Sequence, residues 1–271
     1  MASFELSIHR EFLETPPLWV NEQFGIQQFL MPSIDILTIP KQPIPKNIRL
    51  GHKMEHVFQQ CLAKQQHYKF LYSNIQIKKD NITQGEIDFL LEDTRSGQVV
   101  HVELTYKFYI ITTDEAEPNY QLIGPNKRDK FVAKLKKLKK NQFPLVFSEE
   151  GTSALRTLGI TANTIAQKVC YKAQLFKPYG DLKVNILPLN QDCIIGFWIS
   201  FNKFKSNDFK EYDYYVPTKD EWVLKPYKKV SWITHNEVLL KVSIQIIKEN
   251  SPMIWMHKTD GSFEKFFVVW W

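Results

Sequence analysis

Two short runs constrain this chain most: Gly85-Glu86-Ile87-Asp88-Phe89-Leu90-Leu91 and His101-Val102-Glu103-Leu104-Thr105-Tyr106-Lys107-Phe108-Tyr109. Both are rich in β-branched, aliphatic and aromatic residues with alternating polarity, the pattern of β-strands. The segment between them, from Glu92 to Gln98, is a turn cluster with a late glycine, so the two runs form a hairpin. Pairing Asp93 with Gln98 leaves a four-residue loop and sets Ile87, Phe89 and Leu91 opposite Leu104, Val102 and Val100. That register gives one apolar face, which a one-residue slip would destroy. It also sets Asp88 opposite Glu103, Glu86 opposite Thr105 and Gln84 opposite Lys107. Cross-strand partners lie roughly 4.5–5.5 Å apart at Cβ, and like charges directly opposite are destabilising. Two facing carboxylates therefore call for a cation, a basic neighbour or a shared proton.

The rest of the chain supplies candidates for those roles. Leu50, Met54, Val57, Phe58, Cys61 and Leu62 follow the spacing of an amphipathic helix, with Glu55 at the margin of its apolar face. Taken alone, Glu55 reads as a solvated boundary residue; its place just before the acidic strands makes it a candidate third acid. Phe70 to Ile77 reads as a strand that turns at Lys78-Lys79-Asp80-Asn81 into the hairpin. The connection from Thr112 to Ile123 is acidic and irregular, with Asp114, Glu115, Glu117 and Pro118. A helix start follows at Gly124-Pro125-Asn126, with Asn126 as N-cap and Asp129 completing an approximate capping box.

That helix is basic. Between residues 126 and 142 the chain carries eight basic residues and one acid, a local +7 against a net +6 overall, so the remainder is close to neutral. Phe131, Val132, Leu135 and Leu138 form its apolar stripe. Lys127, Arg128, Lys130, Lys134 and Lys137, with their lysine neighbours, lack interspersed acids to pair with at helical spacing. A solvated lysine face is one reading; a phosphate backbone is the other, with contacts that are sequence-independent and salt-sensitive.

Residues 152–160 suit a short helix and Val169 to Phe176 a fourth strand. Helix, three strands, helix and strand in that order define an α/β core with a mixed sheet flanked by helices. Residues 1–47 read as an ordered, proline-punctuated arm packed on a core of residues 48–177. Residues 178–271 read as a β-rich aromatic C-terminal region, with strands at Ile194 to Phe204, Met253 to Lys258 and Phe263 to Trp270. There Tyr212, Tyr214, Tyr215, Trp222, Tyr227 and Trp232 alternate with lysines. Such interleaving can stack single-stranded nucleic acid, but more commonly marks a core with snorkelling lysines.

Three cysteines without metal-ligand spacing suggest a reducing compartment. No secretory pattern opens the sequence and no apolar run reaches membrane-spanning length, so a cytoplasmic protein without a membrane partner is expected. The sequence sets no oligomeric state.

Helix with Glu55, strand with Asp88, strand with Glu103 and Lys107, then a basic helix: this order resembles the PD-(D/E)XK nuclease superfamily, whose members share an αβββαβ, restriction-endonuclease-like core. More closely, the chain resembles a bacterial family of unknown function placed in that superfamily. The resemblance rests on Pro16-Pro17-Leu18, Gly85 to Leu90, His101 to Leu104 with Lys107-Phe108-Tyr109, Gly124-Pro125-Asn126 with Asp129, and Phe267 to Trp270. It implies a Mg²⁺-dependent nuclease, with Mn²⁺ as a substitute, acting on DNA or RNA. Asp88 and Glu103 would hold the metal through hard carboxylate oxygens, with Glu55 contributing directly or through water. A lysine beside the site, Lys107 or one from the basic helix, would orient the attacking water and stabilise the transition state. In the usual pattern one residue separates the acid from the lysine. Here Thr105 occupies the lysine's place, and Lys107 lies roughly 13 Å along the strand from Glu103. His101 shares that face and reads as a structural or nucleic-acid contact. Two other classes stay open on the sequence: a non-catalytic nucleic-acid-binding or scaffold protein on the same fold, and a small-molecule or protein-interaction module.

Overall fold

The computed structural model describes residues 2–40, 42–112, 117–181 and 183–271; in the first helix, side chains are described from Ser7 onward. Asp114 and Glu115 of the acidic connection lie outside the described residues. The chain forms two compact units. One comprises residues 1–106 and 132–172, the other 107–131 and 173–271. This division cuts across the 48–177 core read from the sequence.

The first unit begins with α1 (Ala2–Glu14), a helix the sequence reading left as part of the arm. The arm then runs beside the fourth strand: the Leu18 and Phe29 amides donate to the Tyr171 and Val169 carbonyls at 2.8 and 2.7 Å. Next comes α2 (Leu50–Leu62), where the apolar periodicity places Met54, Val57, Phe58, Cys61 and Leu62 in the interior. The strands β1 (Tyr68–Lys79), β2 (Ile82–Asp93) and β3 (Val99–Ile111) follow as antiparallel neighbours. Asp80 and Asn81 join β1 to β2 with φ of 48° and 65°, the left-handed pair a two-residue hairpin turn demands. The next turn is the anticipated four-residue loop: the Asp93 amide donates to the Gln98 carbonyl at 2.9 Å, and Gly97 takes a φ of 72°. The register is as read where the ladder is formed, with Phe89 opposite Val102 and Leu91 opposite Val100.

Past that point the hairpin changes character. The paired residues of β2 and β3 end at Phe89 and Val102, so Asp88 and Glu103 stand just beyond the ladder. The single apolar face also fails to run through. Phe89 packs on Phe58 of α2 with ring centroids 4.7 Å apart, whereas Ile87 and Leu90 join Ile77, Val146 and Leu155 in another core cluster. Asn74, in the middle of β1 between the pairs Ser73–Phe89 and Ile75–Ile87, has a φ of 53°. The β1–β2 register itself shifts between Phe70 and Tyr72 and between Ile77 and Lys78, so strict alternation does not hold along this hairpin.

The lysine-rich segment also departs from its sequence reading. Asn126 does not cap a helix: its Oδ1 accepts the Ser251 amide at 2.7 Å, and Lys127 has a left-handed φ of 58°, which no helix tolerates. The helix α3 starts later, at Phe131, and runs to Lys137. It widens into a π turn over Leu138–Gln142 and closes with Phe143–Leu145. The next helix, α4 (Glu149–Thr157), is capped by Ser148, whose Oγ accepts the Gly151 amide at 2.9 Å. The strand β4 (Ala166–Pro178) completes the first unit and continues, like β3, into the second.

In the second unit the order from β3 is β4, β5 (Ile194–Ser200), β8 (Phe263–Val269), β7 (Met253–His257) and β6 (Asp213–Tyr215), with Leu122–Ile123 added beside β3. β5 is parallel to both β4 and β8, whereas β7 is antiparallel to β8 and to β6, and Leu122–Ile123 is antiparallel to β3. Among the described residues these strands are hydrogen-bonded into one mixed, helix-flanked sheet, an α/β architecture. The C-terminal region is not purely β. His235–Ile247 is a helix, α5, opened by a capping box between Thr234 and Glu237. No helix of the described residues is long and apolar enough to cross a membrane.

The turn into α4 sets the position of the π segment before it. A Cβ at Gly151 would lie 2.0 Å from the Leu145 carbonyl oxygen and 3.0 Å from Ser148 Oγ. Gly151→Ala should therefore force the two segments apart at a cost of about 1–3 kcal/mol, as other overpacked sites do. Urea unfolding should show a lower midpoint; an unchanged midpoint would contradict the close approach.

Candidate active site

One buried polar network of the first unit centres on Glu103. Glu103 and His101 follow one another on the same side of β3, and neither side chain is solvent-exposed at all. A buried carboxylate must be satisfied or it becomes neutral. Here both oxygens are used: Oε1 pairs with His101 Nε2 at 2.9 Å, and Oε2 accepts the Gln142 amide Nε2. Gln167 Nε2 donates to the Phe143 carbonyl at 2.8 Å and to His101 Nδ1 at 3.1 Å. With Nδ1 accepting, the imidazole proton sits on Nε2 and is donated to Glu103. The ring also stands edge-on to Phe143, at 5.8 Å between centroids. His101 is thus a structural contact, one of the two readings its sequence position allowed.

Gln142 reaches Glu103 because of the π turn. The extra residue of a π turn sets the following residues back around the helix axis by about 100° relative to an unbroken α-helix. That rotation brings Gln142 back over Lys134, whose ammonium donates to Gln142 Oε1 at 2.8 Å. A cation, an amide and a carboxylate are linked in series.

Asp88 completes the pair from β2. Its Oδ2 accepts the Leu104 backbone amide at 2.9 Å, standing in for the strand carbonyl that the broken ladder no longer supplies. Its Oδ1 has no hydrogen-bond partner among the described residues. Desolvation by burial, and then the Glu103 carboxylate, push the Asp88 carboxyl up to about 8, with Glu55 adding to the rise; the Leu104 amide and Lys134 oppose it.

Glu55, from α2, lies at the margin of this centre. Asn74 Nδ2 donates to Glu55 Oε2 at 3.2 Å and to Glu86 Oε1 at 2.8 Å, and His52 Nδ1 lies 3.3 Å from Glu55. The strained Asn74 therefore holds two acids in place, which is the kind of role for which backbone strain is retained. Among the described residues no three His, Cys, Asp or Glu side chains converge as a closed metal-ligand set.

The other nominated residues divide between the units. Lys134 and the exposed Lys137 belong to the first. Lys107 belongs to the second, where its ammonium donates to Asp129 Oδ2 at 2.6 Å. Lys127, Arg128 and Lys130 are also there and exposed; the Lys127 ammonium lies 3.8 Å from the centroid of a Trp271 ring. The sequence reading missed Asn74, Gln142 and Gln167. Asn74 carried a signal, since asparagine is depleted in strand interiors. Nothing in the local pattern marks the two glutamines.

Fold and centre together define a mixed-sheet α/β protein with one acid, Glu103, held by a buried histidine and a lysine-linked glutamine, and a second, Asp88, held by a backbone amide. Residues 36–265 match the model of a family described as Domain of unknown function (DUF1853), and the chain belongs to that family. No curated protein and no solved structure gives a match.

The Asp88 shift has a measurable consequence. Unfolded, the carboxyl ionises near its ordinary 3.8; folded, it keeps its proton up to about 8. Across that interval the native state binds a proton that the unfolded state has released, so stability falls as pH rises. Asp88→Asn keeps an acceptor for the Leu104 amide and removes the charge. In metal-free protein it should raise Tm by roughly 3–8 °C near pH 8 and much less near pH 5. Equal melting temperatures at both pH values would contradict the assignment.

Proposed function

We propose that this protein is a metal-dependent nuclease that hydrolyses phosphodiester bonds of DNA or RNA at the Asp88–Glu103 centre, on a restriction-endonuclease-like core. The carrying observation is the pair itself: the fully buried Glu103 lies close enough to Asp88 that, after desolvation, its carboxylate helps push the Asp88 carboxyl up to about 8.

The donor set fits Mg²⁺ or Mn²⁺. Such ions take hard oxygen ligands and are commonly held by one or two carboxylates, with water and substrate phosphate filling the other positions. Asp88 and Glu103 would hold the ion, with the unbonded Asp88 Oδ1 directed to it and Glu55 supporting from the margin. A bound divalent ion would polarise a phosphate oxygen and lower the pKa of an attacking water.

The chain's own groups do the rest. His101 and Gln142 fix the Glu103 carboxylate in one rotamer, so no reorganisation is needed on binding. Lys134 supplies the positive charge that the resemblance assigns to a lysine beside the acids, and it stabilises charge developing on the phosphate. Lys107, paired with Asp129, is not needed for that role. The exposed Lys137, Arg128, Lys127 and Lys130 bind the phosphate backbone without reading sequence. The Lys107–Asp129 pair also supports a second reading, a nucleic-acid-binding protein that keeps the fold without the reaction.

Asp88→Ala and Glu103→Ala should each lower Mg²⁺-dependent cleavage of plasmid or RNA by at least about 100-fold, and Lys134→Ala by a comparable factor. Cleavage surviving both acid substitutions would remove the site. No cleavage by the unaltered protein, together with salt-dependent binding, would favour the second reading. For binding, replacing Arg128 and Lys137 by alanine should reduce the slope of log K against log salt by about two in total. An unchanged slope would place the phosphate contacts elsewhere.

A further inference from the structure

The second unit contains a cavity of about 270 Å³ that the carboxylate centre does not use. Its wall includes Trp222, Lys219, Met253, Asn126, Gln245 and Asn250. Three segments line it: residues 216–222, residues 245–253 and the loop at Asn126; the last two are each bent by a left-handed residue, Glu249 at φ 53° and Lys127 at φ 58°. These two are joined where the Ser251 amide donates to Asn126 Oδ1 at 2.7 Å and Ser251 Oγ donates to the Pro125 carbonyl at 2.8 Å.

This bonding fixes the Asn126 carboxamide in one orientation and leaves its Nδ2 donors without a protein partner among the described residues. Asn250 Nδ2 donates to Gln245 Oε1 at 3.4 Å, which likewise leaves the Asn250 oxygen and the Gln245 nitrogen unspent. The indole wall is equally well held. Trp222 is set edge-on by Phe108 and Phe267, with centroids at 5.5 and 5.0 Å. The buried Lys265 ammonium donates to the Trp222 and Leu224 carbonyls. The Lys219 ammonium lies 5.9 Å from the Trp222 ring centroid, and no lining side chain is acidic.

An indole, a thioether, oriented amide donors and acceptors, and a cation without an acid match one ligand chemistry. It is a planar heterocycle with its own donors and acceptors, attached to an anionic group. The volume lies at the small end for ligand sites, enough for one such unit. We propose that this cavity binds a single nucleobase with its phosphate: the base against Trp222, its edge read by Asn126, Asn250 and Gln245, and the phosphate toward Lys219. The proposal does not rest on the nuclease reading, since the pocket residues all belong to the second unit.

The test is a titration of the full chain with AMP, GMP, CMP and UMP, and with short single-stranded oligonucleotides, followed by tryptophan fluorescence and calorimetry. Saturable binding of at least one nucleotide or oligonucleotide is expected. Asn126→Asp keeps the acceptor for the Ser251 amide and exchanges the free donor for an acceptor. It should weaken binding at least tenfold, or change which base is preferred, with an unchanged melting temperature. Lys219→Ala should weaken nucleotides more than the corresponding nucleosides. Binding of mononucleotides would identify a free nucleotide as the source, and binding only of oligonucleotides an unpaired base in a strand. Asp88→Ala should abolish cleavage and leave this binding intact, which separates the two proposals. No saturable binding, or binding indifferent to both pocket substitutions, would overturn the inference.

Discussion

A carboxylate with no exposure to solvent has to be justified by its partners, and Glu103 has them on both oxygens. The His101 ring and the Gln142 amide hold its carboxyl group in one orientation on β3. Several other features follow from that demand. Gln167 must face His101 Nδ1, Phe143 must present its carbonyl to Gln167, and the helix before it must widen to bring Gln142 into line. Buried polar networks of this kind are costly when half-satisfied, so each member constrains the next.

The same demand explains why the hairpin ladder stops where it does. Continuing the pairing through Asp88 and Glu103 would have brought two acids together with nothing between them. Instead the strands part, and Asp88 accepts the backbone amide of Leu104 that a strand carbonyl would otherwise have taken. The acids stay near one another without regular pairing, and Asp88 retains a proton well above the ordinary carboxylate range, first because it is desolvated and then because Glu103 is beside it. A strongly shifted acid beside a second, firmly held one is the observation on which the proposed site rests.

The hairpin register, the α2 face and both turns were legible because period and turn chemistry are local. Asp80-Asn81 and Gly97 mark their bends by residue type alone, and the α2 stripe follows from its spacing. Register brought Asp88 and Glu103 together in the sequence reading, but the ladder ends at Phe89 and Val102 before reaching them. What the sequence hid depends on contacts distant in the chain. Asn126 looked like an N-cap because its capacity to accept an amide is visible, while the amide it accepts, that of Ser251, lies far along the chain. The π turn has no residue signature, so Lys134 and Gln142 could not be placed together. The helix of His235–Ile247 was the avoidable omission: Thr234 and Glu237 stand at capping-box spacing.

The proposed divalent-cation site at Asp88 and Glu103, with Lys134 as the nearby positive charge, is open to one direct measurement. A crystal of the unaltered protein soaked in millimolar Mn²⁺ and measured for anomalous scattering tests that directly. The account predicts a single strong peak bridging Asp88 and Glu103, with the Lys134 ammonium close by. Crystals that show no anomalous peak at this pair, or one bound elsewhere, would contradict it.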